Sequence, residues 1–433
     1  MIRNSNINKN RTLLMSMMFA CLLPCMGQQR AFTLDECIDA ALKNNIRIRT
    51  AENELQMAEQ DKKEAFTKYF PNISAAGSGF IANEPLLEMQ MSPEAKMSML
   101  KDGMAGGVSA ALPVFAGGQI VNGNKLADVA VDVKKIQKDM TGDEVRLTTE
   151  KYFWQIVMLK EKLKTLSVIE KQLSRIYEDV KVSVDAGLVT RNDLLQVQLK
   201  QNEALSNRIK IENSLSVSKN ILGQYIGVSS DSIDIDFNVS DELPDKPDVL
   251  LCNHEAAIEY TNEYGLLKQN VKASRLQYKM SVGKNLPTIA IGGGVVYDNF
   301  IMGQDQSFCV GFATVSVPLS AWWGGSHNMR KHKLQVRIAE DQLRDNRELL
   351  IIKMQNAWNG LNDAYKQIEV ANLSIGQSSE NLKLYSDYYS AGTSTMSELL
   401  DAQTLFQKSR DSYVEAYTNY EIKKREYLQA TGR

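Results

Sequence analysis

The sequence repeats itself at a separation of 205 residues, and any fold proposed for it must accommodate that doubling. Residues 186–198 read AGLVTRNDLLQVQ and residues 391–403 read AGTSTMSELLDAQ. Both begin Ala-Gly and both close on Gln. Pro113 and Pro318 lie 205 apart as well, followed by Gly117-Gly118 and Gly324-Gly325. Repetition on this scale outranks local signals, because each copy is a supersecondary unit and overlooking it misassigns the whole chain. Each Ala-Gly lies between two long helical patterns, where glycine stops one helix and polar residues start the next.

Taken in order, the pattern is helix, strand, loop, strand, long helix, glycine turn, helix, and then the same again. Thr33 and Glu36 form a capping-box signature at the start of a helix over 32–70, ended by Pro71. A strand of small and β-branched residues follows over 72–81. Residues 82–105 are Met-rich, carry Pro85 and Pro93, and read as a loop. A second strand centred on Val108, Ala110 and Leu112 stops at Pro113. Helices are then predicted over 119–185 and 191–225. The second half gives a helix over 255–284, a strand over 288–297, a loop over 298–306, and an alternating strand ending at Pro318. The resulting division is a signal peptide at 1–27, a first repeat at 28–229, a linker at 230–253 and a second repeat at 254–433.

The long helices carry narrow apolar seams. Tyr152, Ile156, Leu159, Leu163, Leu166, Ile169, Leu173, Ile176 and Val180 alternate between steps of three and four, with one local slip. Leu350, Met354, Ala357, Leu361, Ala364, Ile368, Ala371 and Ile375 do so without a slip, as do Leu399, Ala402, Phe406, Ser409, Tyr413, Ala416 and Tyr420. The first long helix would extend ~100 Å, several bilayer thicknesses, and Lys160, Glu161, Lys162 and Lys171 along it exclude a membrane-spanning helix. Seams flanked by Lys, Glu and Asn describe coiled-coil packing with much of each helix in water.

Composition sets further bounds. A net charge of −2 provides no basic footprint for nucleic acid. Lys9 and Arg11, an apolar run over 12–24 and Gly27 before Gln28-Gln29-Arg30 form a secretion signal. Cys21 and Cys25 raise lipidation as an alternative, which Pro24 and the bulky Met18-Phe19 fit poorly. Cys37, Cys252 and Cys309 are too scattered for a disulfide framework, and His254, His327 and His332 lack metal-ligand spacing. No phosphate loop, nucleophile elbow or His-carboxylate cluster is present, so neither catalysis, a cofactor nor a metal is expected. Trp322-Trp323 suit an aromatic belt at a membrane interface, and Trp154 and Trp358 are expected to pack between helices.

Strands of about ten residues, small and apolar, have the length of tilted membrane strands, and open edges are forbidden in lipid. Four strands cannot close a barrel. Two copies would give eight strands with a filled interior, and three would give twelve and a channel. The alternative is a small soluble β-layer attached to a helical rod. In either case the strand loops lie at one end of the molecule and the Ala-Gly turns at the other.

The doubled motif, the paired Pro and Gly-Gly elements and the secretion signal resemble the TolC family of outer-membrane efflux proteins over the whole mature chain. The resemblance implies a mainly α fold with a β part. Long antiparallel coiled-coil helices form a periplasmic α-barrel, and four strands per chain build a 12-stranded outer-membrane β-barrel in a homotrimer set in outer-membrane lipid. It implies a periplasmic adaptor and an inner-membrane pump as partners, and passive conduction of exported substrates. The family's periplasmic gate maps onto Asp193, Tyr389, Glu398 and Asp401; the last two are three apart and share a helical face. The family's network arginine falls on Ser394, which leaves Arg191 in the facing turn as a substitute. Acids at this place also cap a helix N-terminus. Adaptor contact is expected at Gly187, Leu188, Gly392 and Thr393. A type I protein-secretion conduit and a non-conducting periplasmic stalk are the rival functions.

Overall fold

The computed structural model describes residues 30–93, 95–99, 101–228, 233–237, 239, 243–299, 305–319 and 321–433. The expected signal peptide, with Cys21 and Cys25, and most of the expected 298–306 loop lie outside them, as does the side chain of Trp322. The described part of the chain divides into two units. One gathers residues up to Asn45 with Val145–Val249 and Gly360–Arg425, and the other gathers Ile46–Glu144, Leu250–Asn359 and Glu426–Arg433. Among the described residues no helix is long and apolar enough to cross a membrane.

The chain starts with β1 (Arg30–Phe32) and α1 (Leu34–Asn44), whose capping box is formed as expected, with Thr33 N donating to Glu36 Oε2 at 3.0 Å and Glu36 N to Thr33 Oγ1 at 3.3 Å. The helix predicted over 32–70 is not continuous. Asn45 is extended, and α2 (Ile46–Thr67) starts after it. The break puts two amides to use: Asn44 Nδ2 donates to Ile226 O at 3.1 Å and Asn45 Nδ2 to Tyr225 O at 2.9 Å. Asparagine competes with the helical backbone in this way, and here it satisfies the end of a distant helix.

β2 (Asn72–Ile81) matches the expected strand. The Met-rich stretch contains a hairpin, β3 (Leu87–Ser92) with β4 (Ala95–Met99), in place of the expected loop. The next strand does not stop at Pro113: β5 is Asp102–Ala116, with an irregularity between Pro113 and Phe115. Pairing with β2 reaches only Ala111, so Pro113 lies where β5 has a neighbour on one side alone and a missing N–H costs little.

Two long helices and two shorter ones carry the seams: α3 (Gln119–Asp185), α4 (Arg191–Ile226), α7 (Ala321–Ser390) and α8 (Met396–Ala430). Ile156, Leu166, Ile169, Leu173, Val180, Met354, Leu361, Ile368, Tyr413 and Tyr420 are all buried, as the three-four spacing requires. Trp154 packs on Phe237, with ring centroids 4.8 Å apart, and Trp358 packs on Tyr427 at 5.2 Å. Each fully covered Leu or Ile in the seams contributes ~1.5–3 kcal/mol.

The linker holds structure the sequence did not announce. β6 (Ile233–Ile235) pairs in parallel with β1, Asp234 accepts ion pairs from Lys160 and Lys219 at 3.1 and 3.0 Å, and a 3-10 turn covers Pro247–Leu250. The helix predicted over 255–284 is broken too. A short α5 (His254–Ala257) and a 3-10 turn (Ile258–Tyr260) precede α6 (Asn262–Gly283), with Thr261 extended between them. Thr261 is buried and bonds the Ile258 carbonyl through both its backbone N and its hydroxyl, which ends the turn locally.

β7 (Thr288–Asp298) and β8 (Gln306–Ser316) complete an antiparallel sheet in the order β2-β5-β7-β8. Both outer strands, β2 and β8, are exposed along almost their whole length. In the other unit a charged pair is buried within the helices. Glu150 and Arg425 approach at 3.7 Å, with side chains 11% and 10% exposed. Burial pushes the Glu150 carboxyl up to about 7, outweighing the opposing pull of Arg425 and Arg146.

Candidate functional site

The two glycine turns are built the same way. At the end of α3, Gly187 has φ +73°, its N–H reaches Val184 O at 2.9 Å, and Leu188 N reaches Ser183 O at 2.8 Å. At the end of α7, Gly392 has φ +70°, its N–H reaches Tyr389 O at 3.0 Å, and Thr393 N reaches Tyr388 O at 2.9 Å. This is a left-handed helix stop, in which the residue after glycine closes a wide ring back to the last turn. A Cβ at either glycine would meet nothing within 4 Å, so positive φ is the whole requirement.

Both turns lead directly into a capped helix. Asp193 folds back on Thr190, accepting from its N at 3.2 Å and its hydroxyl at 3.1 Å. Glu398 does the same to Thr395 at 2.8 and 2.9 Å, and returns the bond through Glu398 N to Thr395 Oγ1 at 3.3 Å. Ser394 adds a third donor to the same Glu398 oxygen at 2.9 Å. The Thr395 backbone N–H, then the Ser394 and Thr395 hydroxyls, hold the Glu398 carboxyl below the usual range. Ser394, at the position expected to hold an arginine, thus bonds within its own turn.

Asp401 lies one turn further along α8 and is exposed. Tyr389 is half-buried, and its phenol is pushed up by burial and by the nearby Asp193 carboxylate. Tyr389 and Leu194, the residue after Asp193, pack against one apolar cluster. Beneath them a single apolar cluster joins the turns: Val189 and Leu194 from the first and Met396 and Leu399 from the second pack with Leu173 and Val180. Gly187, Leu188, Gly392 and Thr393 are all exposed, Leu188 to 79%.

Sequence reasoning overlooked the glutamines that close each motif. Gln403 Nε2 bonds Gln172 Oε1 at 3.1 Å, tying α8 to α3, and Gln198 Nε2 reaches Tyr177 Oη at 3.4 Å. Their shared position in the repeat was the available signal. A groove of about 350 Å³ beside Gln403 is lined by Gln172, Arg175, Leu382, Asp387 and Leu399. Arg208 was overlooked as well: it grips Glu170 through Nε at 2.8 Å and bonds the Ser167 hydroxyl at 2.9 Å, fixing α4 against α3. Among the described residues no group of His, Cys and acids could hold a metal ion.

The sequence matches the family described as Outer membrane efflux protein over residues 37–228 and 267–433. It is 22% identical over 290 residues to the outer membrane protein TolC of Escherichia coli strain K12, a match covering 62% of this chain and 57% of that protein's own length. The fold is similar to that of CusC, with a TM-score of 0.79 at 13% identity, covering 95% of each chain. It is also similar to VceC from Vibrio cholerae, with a TM-score of 0.75 at 12% identity, covering 92% of this chain and 96% of the other. At these identities the structural likeness is one of fold.

Proposed function

The chain belongs to the outer membrane efflux protein family, and from that premise we propose that it is the outer-membrane channel of a tripartite export system. Three copies close their four-stranded sheets into one twelve-stranded barrel in the outer membrane. The helical parts enclose a periplasmic conduit that meets an adaptor and, through it, an inner-membrane pump. Substrate passes without chemistry.

The observation that carries this reading is the sheet. It is antiparallel throughout, its outer strands β2 and β8 have no neighbour on their outer side among the described residues, and it exposes Ile73, Val108, Ile291, Val295 and Val315. An apolar face is unfavourable in water and favourable in lipid, whereas an open edge invites pairing in water and is forbidden in lipid. β2 and β8 run antiparallel to each other, so the free edge of β8 can continue into β2 of another copy without changing the alternation. α4 is likewise exposed at Leu195, Leu199, Leu205 and Ile209, as a helix facing further copies would be.

At the turns we assign a gate to Asp193, Tyr389, Glu398 and Asp401, and adaptor contact to Gly187, Leu188, Gly392 and Thr393. Exposed backbone at a glycine stop and an exposed leucine provide a contact surface. Purified full-length chain should migrate as a trimer and produce discrete ion-conducting steps in planar bilayers. A monomer, or a trimer without conductance, would point to a structural stalk instead.

A further inference from the structure

Strand register divides the side chains of the sheet between two faces. On one lie Ile73, Val108, Leu112, Ile291, Val295 and Val315; the polar members of that ladder are Asp102, Tyr297 and Ser307 at the loop end, and Cys309. On the other lie Asn72, Ser74, Ser109, Thr288, Thr314 and Ser316, with the Ser74 and Ser109 hydroxyls 3.1 Å apart. A barrel wall keeps its apolar face for lipid and turns its polar face to the lumen. The second face is therefore the one that meets water.

β8 interrupts that polar face. Phe308, Val310 and Phe312 share it with Thr314 and Ser316, and they are 45%, 42% and 43% exposed. Phe312 stands across from Gly292 and Val310 from Gly294. A Cβ on Gly292 would come within 2.5 Å of the Phe312 ring, so the ring lies flat over bare backbone. Covering a cross-strand glycine is an ordinary duty for an aromatic residue and accounts for Phe312. It does not account for Phe308, whose partner is Val296.

We propose that Phe308, Val310 and Phe312 form an apolar strip on the lumenal side of β8, repeated in each protomer, that contacts aromatic or similarly apolar solutes in passage. The proposal rests on the reading of the sheet as a third of a barrel. Apart from Val296 and from Phe80 on β2, which faces Gly103, the described wall around the strip is small or polar, so β8 presents an aromatic solute with most of the flat apolar surface on that face. Ring-on-ring contact of this kind shifts occupancy by roughly threefold to tenfold.

The test uses full-length trimers in planar bilayers and two monovalent cations, tetraphenylphosphonium and tetramethylammonium. The aromatic cation should block single-channel current with dwell times that shorten about threefold to tenfold in a Phe308→Ser, Phe312→Ser double variant, while the aliphatic cation behaves alike in both. Val315→Ser, on the opposite face, should leave both unchanged. Equal dwell times in the wild type and the double variant would overturn the strip. Should the double variant fail to form trimers, Phe308→Cys in a Cys309→Ser background decides the matter. A charged, water-soluble thiol reagent should lower its conductance, and no change would overturn the lumenal assignment. Wild-type trimers that conduct nothing would instead remove the barrel reading beneath it.

Discussion

Replacing Glu150 with glutamine isolates the cost of burying one charge in the helical unit. Its carboxyl is raised from 4.5 to about 7 even though Arg425 is 3.7 Å away. A rise of that size favours the neutral acid by roughly 3 kcal/mol. The folded state holds this proton more tightly than the unfolded chain does, so stability is greatest below the unfolded pKa and falls as pH climbs toward 7. Above pH 7 the charged carboxylate is carried at full cost. The amide in Glu150→Gln is neutral at any pH, so the variant should match the wild type near pH 4 and exceed it at pH 8, by roughly 1–3 kcal/mol once water reaching the side chain is allowed for. Thermal unfolding of the purified chain in detergent, followed by circular dichroism across pH 4 to 8, reads the difference as a midpoint that depends less on pH in the variant. A variant that loses stability at pH 8 would refute the reasoning, because the charged pair would then stabilise the fold on balance.

The turns yield three more predictions. Gly187 and Gly392 have open space around them but left-handed backbones, so valine at both should cost roughly 1–2 kcal/mol per site locally and abolish export while trimers persist; continued export in cells would remove the tip as the docking point. Because one Glu398 oxygen already serves three donors of its own turn and Asp401 is exposed, Asp401→Asn should weaken cation selectivity in bilayers more than Glu398→Gln does; equal losses would contradict that division. The lowered pKa of Glu398 means its cap is in place above the ordinary glutamate range and is lost as pH falls through the folded value. Hydrogen-exchange protection of the Thr395 amide should therefore drop in acid and be absent in Glu398→Ala at all pH, and constant protection from pH 7 to 3 would count against the cap.

Much of the architecture was legible because the signals were long or punctuated. Seams such as Met354, Leu361 and Ile368 persist over many turns, and Gly187 and Gly392 mark stops that only a left-handed residue can make. What escaped was decided by partners distant in sequence. Asn45 breaks a good helical pattern to reach the Tyr225 carbonyl, and three-residue β6 exists only because β1 lies beside it. Pro113 misled because the rule it obeys concerns neighbours, and the neighbour on one side of β5 had ended. At the turns, the acids could be located from the repeat. The bond from Ser394 to Glu398 depended on how the Gly392 turn aims a hydroxyl, which spacing alone does not encode.

The unpaired edges of β2 and β8 have a consequence for heredity. In the proposed trimer each seam joins the β8 of one chain to the β2 of the next, so a chain with a spoiled β2 still offers a sound β8 and is recruited. Such an allele would act on its neighbours. At equal expression of both versions, random assembly leaves about one trimer in eight free of the defective chain, and a cell with a normal copy of the gene would still show the export defect.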